Sequence, residues 1–321
     1  MKAIMCTKYG PPDVLQLVEV EKPTPQDHQV LVRVRAASVN TADLTFTGPL
    51  GRLFEGLRKP RDPRTGRDVA GQVEAVGNGV TQFHPGDEVF GACGGSFAEY
   101  AVARETSLVL KPSNISYEEA AAVPVAAITA LQGLRDKGHI QPGQKVVING
   151  ASGGVGTYAV QIAKVLGAEV TAVCSTGNLD TARSIGADHV IDYTHADFTR
   201  NGQLYDVIFA VNGYHPILEY RRVLNPQGIY VMVGASHTHL FPALLQTALL
   251  GPILSRRGGQ TYWFMGIAKI NTQDLSILKE LLEAGKITSV IDRRYQLSET
   301  AEALKYLAAG HAHSKVVITV A

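Results

Sequence analysis

Residues 146–163, VVINGASGGVGTYAVQIA, pass from a β-branched apolar run through a glycine-rich turn into an amphipathic helical pattern. A strand that enters a helix across so tight a turn constrains a fold strongly, because the helix must pack back on its strand and the next strand then runs parallel to the first. The continuation has the same rhythm: EVTAVCS, LDTARSIG, HVIDY, YDVIFAV, PILEYRRVL and GIYVMVG alternate strand and helix patterns up to Gly234. Repeated βα units of this kind predict a doubly wound parallel sheet.

Within the turn, Ala151-Ser152-Gly153-Gly154-Val155-Gly156 matches the dinucleotide fingerprint, with alanine in the first glycine position. Gly153 lets the backbone approach a pyrophosphate and Gly156 lets helix and strand pack closely, while the helix N-terminus offers free N–H groups and a positive dipole end. A Gly-x-Ser-x-Gly pattern around Ser152 is also literally present, and it invites comparison with a hydrolase nucleophile elbow. The cofactor reading accounts for Gly156 and the elbow reading does not.

An acidic residue closing the second strand would bind the adenosine ribose of NAD and repel a 2′-phosphate. The segment there, Val173 to Asn178, has no carboxylate. Ser175, Thr176 and Asn178 can donate hydrogen bonds to a phosphate instead, with Arg183 as a nearby cation. The expected cofactor is therefore NADPH, with NADH as an alternative, because no lysine or arginine lies in the turn itself.

Before this region, to about residue 115, short runs such as QVLVRVRAASV, DVAGQVEAVG, EVFGAC and SFAEYAVA sit between turn residues and predict antiparallel strands in a barrel-like domain. Ser116 followed by Glu119 is a capping-box signature opening a helix interrupted near Pro124. DLSILKELLEAG predicts a helix stopping at Gly285, and the closing strand KVVITV at 315–320 can return to the amino-terminal sheet. At 321 residues, two domains are expected: a discontinuous one over 1–120 and 268–321, and a nucleotide-binding one over 121–267.

The balance of 30 basic against 29 acidic residues gives no electrostatic reason to expect nucleic acid as a partner. The apolar stretch 240–254 is too short and too broken by Pro242, Gly251 and Pro252 for a membrane span, and reads as a lid or interface helix. MKAIMCTKYG reads as an edge strand rather than a secretory signal, so a cytoplasmic protein is expected. The cysteines, Cys6, Cys93 and Cys174, are too few and too scattered for a disulfide framework or a four-cysteine zinc lobe. The pairs His237-x-His239 and His311-x-His313 lack further ligands nearby and read as loop histidines, and the basic run Arg58, Lys59, Arg61, Arg64, Arg67 as a solvated face.

Taken together, TKYGPPDVLQL, RDVAGQVEAVGNGVTQFHPGDEVFG, NGASGGVG, GADHVIDY and SKVVITV resemble the medium-chain dehydrogenase/reductase superfamily, and within it the zinc-independent quinone oxidoreductases related to zeta-crystallin. The resemblance implies an α/β chain built of a GroES-like β-barrel domain plus a Rossmann doubly wound domain, with a cleft between them, and a homodimer. It places Asn40 beside the nicotinamide as the catalytic group and Thr129 against the same end of the cofactor. Ser175, Asn178 and Tyr193 fall near the adenosine 2′-phosphate, and Val211, Val233 and Lys315 join Ser152–Gly156 in the cofactor set. Zinc-dependent members carry metal ligands where this chain has Asn40, Arg67 and Val125, and an amide, a guanidinium and an alkyl group are not zinc donors.

Without a Lewis acid, a hydride acceptor must spread its incoming charge by conjugation, which suits a quinone or an α,β-unsaturated carbonyl. The expected activity is NADPH-dependent reduction of such a small molecule. The alternatives are a reductase or dehydrogenase of a simple aldehyde or alcohol, and an NADPH-binding protein with a structural or regulatory role.

Overall fold

The computed structural model describes residues 1–47, 52, 56, 58–235, 239–310 and 312–321. His237 and His311 of the two histidine pairs lie outside the described residues. Contacts divide the chain into one unit of Met1–Ile128, Lys269–Gly285 and Ser289–Ala321, and another of Thr129–Ala268 and Lys286–Thr288.

The first unit holds strands β1 (Lys2–Cys6), β2 (Leu15–Glu19), β3 (Gln29–Val39), β4 (Asp68–Val76), β5 (Glu88–Ala92), β6 (Tyr100–Arg104) and β7 (Leu108–Leu110), with β14 (Ile291–Gln296) and β15 (Lys315–Thr319) from the end of the chain. Strands β1 and β2 pair antiparallel, and the main sheet runs β14-β15-β3-β4-β5-β7, with β6 also on β3. The long β3 organises this unit: its Val30, Val32 and Val34 are buried, and bulges at Leu31/Val32 and Val34/Ala36 bend it against β4. Val69, Val73, Val89, Phe97, Leu108, Val316 and Ile318 complete the same core. The terminal β15 pairs antiparallel with β3, Val316 opposite Val39, so the last strand is woven into the first domain as expected.

Ser116 does close a capping box with Glu119, and the helical segment breaks into Tyr117–Ala121 and Pro124–Gln132, Pro124 opening the second helix because it cannot supply the N–H that would continue the first. Helix Thr272–Glu283 begins under Asn271, whose side chain accepts from the Asp274 N–H, and the chain turns away at Gly285 with φ of +63°.

The second unit holds β8 (Lys145–Asn149), β9 (Glu169–Cys174), β10 (His189–Asp192), β11 (Tyr205–Ala210), β12 (Leu224–Met232) and β13 (Thr261–Phe264). All pair parallel, in the order β10-β9-β8-β11-β12-β13. The KVVIN run of β8 is buried on both faces after its first residue, as a central parallel strand must be. Helices Gly154–Val165, Leu179–Ser184, Ile217–Val223 and Leu240–Gly258 connect or flank the strands. The chain order reverses between β8 and β11, the crevice at which open α/β sheets bind ligands. Strand β13, which the sequence patterning does not reveal, forms an edge with Trp263 and Phe264 exposed.

Candidate active site

In the second unit, β8 delivers the chain to Gly150, whose φ of +89° and closeness to Asn212 (an added Cβ would lie 2.7 Å from its backbone N) leave room only for glycine. The N–H groups of Gly150 and Ala151 donate to the Val173 carbonyl on the neighbouring β9 at 3.1 and 3.0 Å, which pins the turn to the sheet. A Cβ on Gly156 would sit 2.1 Å from the Gly150 carbonyl oxygen, so the first helical turn packs on the strand end as the fingerprint requires. A Cβ on Gly153, by contrast, would meet nothing closer than 3.6 Å. Helix Gly154–Val165 has Gly153 at its N-cap and no side-chain cap, and Ser152, Gly153, Gly154 and Val155 are half-buried. Its leading N–H groups therefore face an open backbone surface suited to an anion.

The neighbouring strand ends converge on this turn. Val211 and Asn212 donate their N–H groups to the Asn149 carbonyl at 2.9 and 3.2 Å, and Val233 donates to the Ala210 carbonyl at 2.8 Å. At the end of β9, the Asn178 side chain is buried and its amide donates to Ser175 Oγ at 2.8 Å. Arg183 pairs with Asp180 at 2.8 Å, while Tyr193 is 63 % exposed and reaches solvent. Thr129 is half-buried on helix Pro124–Gln132.

Sequence reasoning missed a carboxylate here. Asp192 closes β10 opposite Cys174, and its Oδ2 accepts from the Thr176 hydroxyl at 2.5 Å. That bond, with those from Thr194, holds its carboxyl below the usual carboxylate range. The end of β9 and the turn after it, Val173 to Asn178, carry no acid, yet the parallel register brings one alongside.

The first unit assembles a buried polar cluster from residues far apart in sequence. The registers that set Ser38 opposite Asp68 and Val39 opposite Val316 also bring Asn40, Asp68 and Lys315 together at one end of the sheet. Asp68 is fully buried; its Oδ2 accepts from Ser38 Oγ at 2.6 Å and Asn40 Nδ2 at 2.9 Å, and its Oδ1 from the Val125 N–H at 2.9 Å. Lys315 Nζ donates to Asn40 Oδ1 at 2.9 Å and the Val39 carbonyl at 3.3 Å, and lies 3.5 Å from Asp68 Oδ2. Burial lowers its affinity for the proton, and the Asp68 and Asp43 charges oppose that shift. Asn40 also heads helix Thr41–Thr47, where its N–H donates to Asp43 Oδ2 at 2.8 Å. Burial pushes the Asp43 carboxyl up to about 7, against the Asn40 N–H that pulls it down. The Asn40-x-x-Asp43 spacing was the available signal for that contact.

One carboxylate, Asp68, thus bonds directly to Asn40 and Val125 and follows Arg67, the three positions where zinc-dependent relatives of the resemblance carry ligands. At those positions stand an amide, a guanidinium and an alkyl group, none of them a zinc ligand, and the Asp68 carboxylate between them is already taken up by Ser38, Asn40 and the Val125 N–H. The Cys93 thiol is pushed up to about 12 by burial and by the Asp68 charge, and so stays protonated. A pocket of about 130 Å³ adjoins the cluster, lined in part by Asp43, Arg64, Thr65 and Arg67.

Two family models match, the alcohol dehydrogenase GroES-like domain over residues 26–113 and the zinc-binding dehydrogenase model over 185–318. The chain is 33 % identical to the chloroplast envelope quinone oxidoreductase homolog of Arabidopsis thaliana, with 99 % of this chain and 98 % of that protein covered. It is 35 % identical to the 2-methylene-furan-3-one reductase of Solanum lycopersicum, over 99 % of this chain and 79 % of that one. The solved quinone oxidoreductase from Coxiella burnetii superposes with a TM-score of 0.87 at 28 % identity, covering 100 % and 99 % of the two chains. With the barrel-like unit, the glycine turn and full-length similarity in agreement, the chain is an oxidoreductase that belongs to the zeta-crystallin-like quinone oxidoreductase family of the medium-chain dehydrogenase/reductase superfamily.

Proposed function

We propose that this protein is an NADPH-dependent, zinc-independent reductase of quinones or α,β-unsaturated carbonyls. The observation that carries this reading is the occupation of the zinc-ligand positions by Asn40, Arg67 and Val125, two of them bonded to the buried Asp68. Relatives named as a quinone oxidoreductase homolog and as a 2-methylene-furan-3-one reductase support the two acceptor classes.

NADPH supplies a hydride from C4 of its nicotinamide. Ser152–Gly156 would hold its pyrophosphate, with Val211 and Val233 flanking the dinucleotide and Thr129 towards the nicotinamide. Ser175 and Tyr193 would meet the adenosine 2′-phosphate. The buried Asn178 acts there by orienting the Ser175 hydroxyl. Lys315 acts through Asn40: its ammonium holds the Asn40 carbonyl oxygen and so fixes the amide. Among the described residues, one Asn40 amide hydrogen goes to Asp68 at 2.9 Å and the other makes only a long 3.4 Å contact to the Ser38 carbonyl. That weakly held hydrogen is the donor for the acceptor's developing oxyanion, which a quinone or enone places away from the carbon receiving hydride. Use of NADH is the second reading, favoured by the Asp192 carboxylate bonded to Thr176.

The exposed side chains Phe241, Leu245, Leu249 and Ile253 recur at four-residue spacing along helix Leu240–Gly258, and β13 offers an open strand edge. A homodimer covering these surfaces is part of the proposal. Among the described residues no helix is long and apolar enough to cross a membrane. The cytoplasm is the proposed compartment, consistent with three unpaired cysteines. Anaerobic NADPH oxidation with a naphthoquinone and an enone as competing acceptors tests the activity. Turnover of either supports the reading and identifies the preferred class; oxidation with a simple aldehyde alone would overturn it.

A further inference from the structure

We propose that the second unit carries a divalent transition-metal site formed by Asp197, His215 and Glu219, remote in role from the hydride chemistry and independent of the function proposed above. His215 Nδ1 lies 3.2 Å from Glu219 Oε2 and 4.0 Å from Asp197 Oδ1, and one donor atom from each residue falls within 4.8 Å of the others. Two ligands of a tetrahedral zinc ion, each about 2.1 Å from the metal, are roughly 3.4 Å apart. The His215 to Glu219 separation already has that value within a few tenths of an ångström, and Asp197 Oδ1 needs to close on His215 by about 0.6 Å.

The surroundings hold the donors in place, as outer partners do at metal centres. Asp197 Oδ1 accepts from the Thr199 N–H at 2.9 Å and from its hydroxyl at 2.7 Å, while Arg200 takes Oδ2 at 3.3 Å. Arg222 lies 3.8 Å from Glu219 Oε1, leaving Oε2 toward the imidazole. The ring itself sits edge-on between Phe198 and Tyr220, with centroids 5.2 and 5.5 Å away. His215 precedes Pro216, the N-cap of helix Ile217–Val223, and Glu219 lies in that helix's first turn, so the chain entering the helix brings the imidazole beside the carboxylate. The side chains of Asp197, His215 and Glu219 are 35, 25 and 26 % exposed, half-buried enough to be ordered and open enough for a hydrated ion to enter.

One imidazole and two carboxylates favour zinc, cobalt(II) or nickel(II), with water completing the shell, over calcium or magnesium, which take oxygen alone. The metal would replace the proton that His215 Nδ1 and Glu219 share. It would also tie down residues 211–216, since Val211 and Asn212 are bonded to Asn149 and the Asn149 amide donates to Tyr220 Oη at 3.1 Å.

The test is zinc titration by calorimetry on the full-length, untagged chain after chelator dialysis, with cobalt(II) absorption as a second readout. One zinc ion per chain is expected, with affinity reduced at least tenfold in both His215→Gln and Asp197→Asn and unchanged in Cys93→Ala. Slower amide exchange across residues 211–223 on adding zinc, in wild type and not in His215→Gln, is the readout that a folding defect would not imitate. No zinc uptake by wild type at large excess, or uptake undiminished in a folded His215→Gln, would overturn the proposal. Neither result bears on quinone or enone reduction, which is measured separately.

Discussion

Replacing Lys315 by methionine tests whether the buried cluster is an interdependent unit. The Lys315 side chain is 2 % exposed and that of Asp68 0 %, with Nζ and Oδ2 3.5 Å apart. At an effective dielectric of about 20, two unit charges at that separation attract by about 5 kcal/mol. Methionine fills most of the same volume and recovers the cost of burying an ammonium, yet it leaves Asp68 with hydrogen bonds from the neutral donors Ser38, Asn40 and the Val125 N–H. Breaking one side of a buried pair costs about 3 to 5 kcal/mol, the range expected here. Because the two units need not unfold together, the loss is best read by hydrogen exchange of peptides from β3, β4 and β15. Amides exposed only by opening of the first unit should exchange about 10²- to 4 × 10³-fold faster in Lys315→Met, since each 1.4 kcal/mol is roughly tenfold. Adding Asp68→Asn should restore part of that protection, giving a coupling above about 2 kcal/mol. A loss under about 1 kcal/mol in the single variant, or no recovery in the double one, would refute the reasoning.

Gly156→Ala places a Cβ 2.1 Å from the Gly150 carbonyl oxygen and must push the turn off the strand; NADPH affinity should fall at least tenfold, and unchanged binding in fluorescence titration would remove the pyrophosphate from this turn. Ser175→Asp adds a second carboxylate near Asp192 and should lower the NADPH-to-NADH ratio of kcat/KM at least tenfold; an unaltered ratio would move the 2′-phosphate elsewhere. Asp43 holds its proton up to about pH 7 in the fold, whereas an unfolded aspartate releases it near 3.8. Its burial therefore costs nothing below the unfolded value and costs stability progressively as pH rises to about 7, on the order of 4 kcal/mol in total. Asp43→Asn should flatten that part of the stability curve, and an identical slope in denaturation from pH 4 to 7 would show that Asp43 is ionised in the fold.

Which parts of this molecule can be read from sequence follows from the range of the interactions that make them. Strands β8, β9 and β11 announce themselves because a parallel strand buried on both faces is a largely apolar run, and the turn at Gly150–Gly156 because at Gly150 and Gly156 the neighbours approach too closely for a Cβ. Strand β13 is only TYWF with two exposed aromatics, and β14 reads IDRRYQ, so neither has a burial pattern to detect. The Asn40-x-x-Asp43 contact is local and could be inferred from spacing. The Asp68–Lys315 pair, 247 residues apart, exists only because β3 takes β4 on one side and β15 on the other. Asp192 likewise joins Thr176 through a strand register rather than a motif. The carboxylate beside Thr176 and the polarity around Asn40 are thus consequences of pairing between distant strands. A sequence motif can locate the glycine turn, but the charges beside it are set by which strand lies next to which.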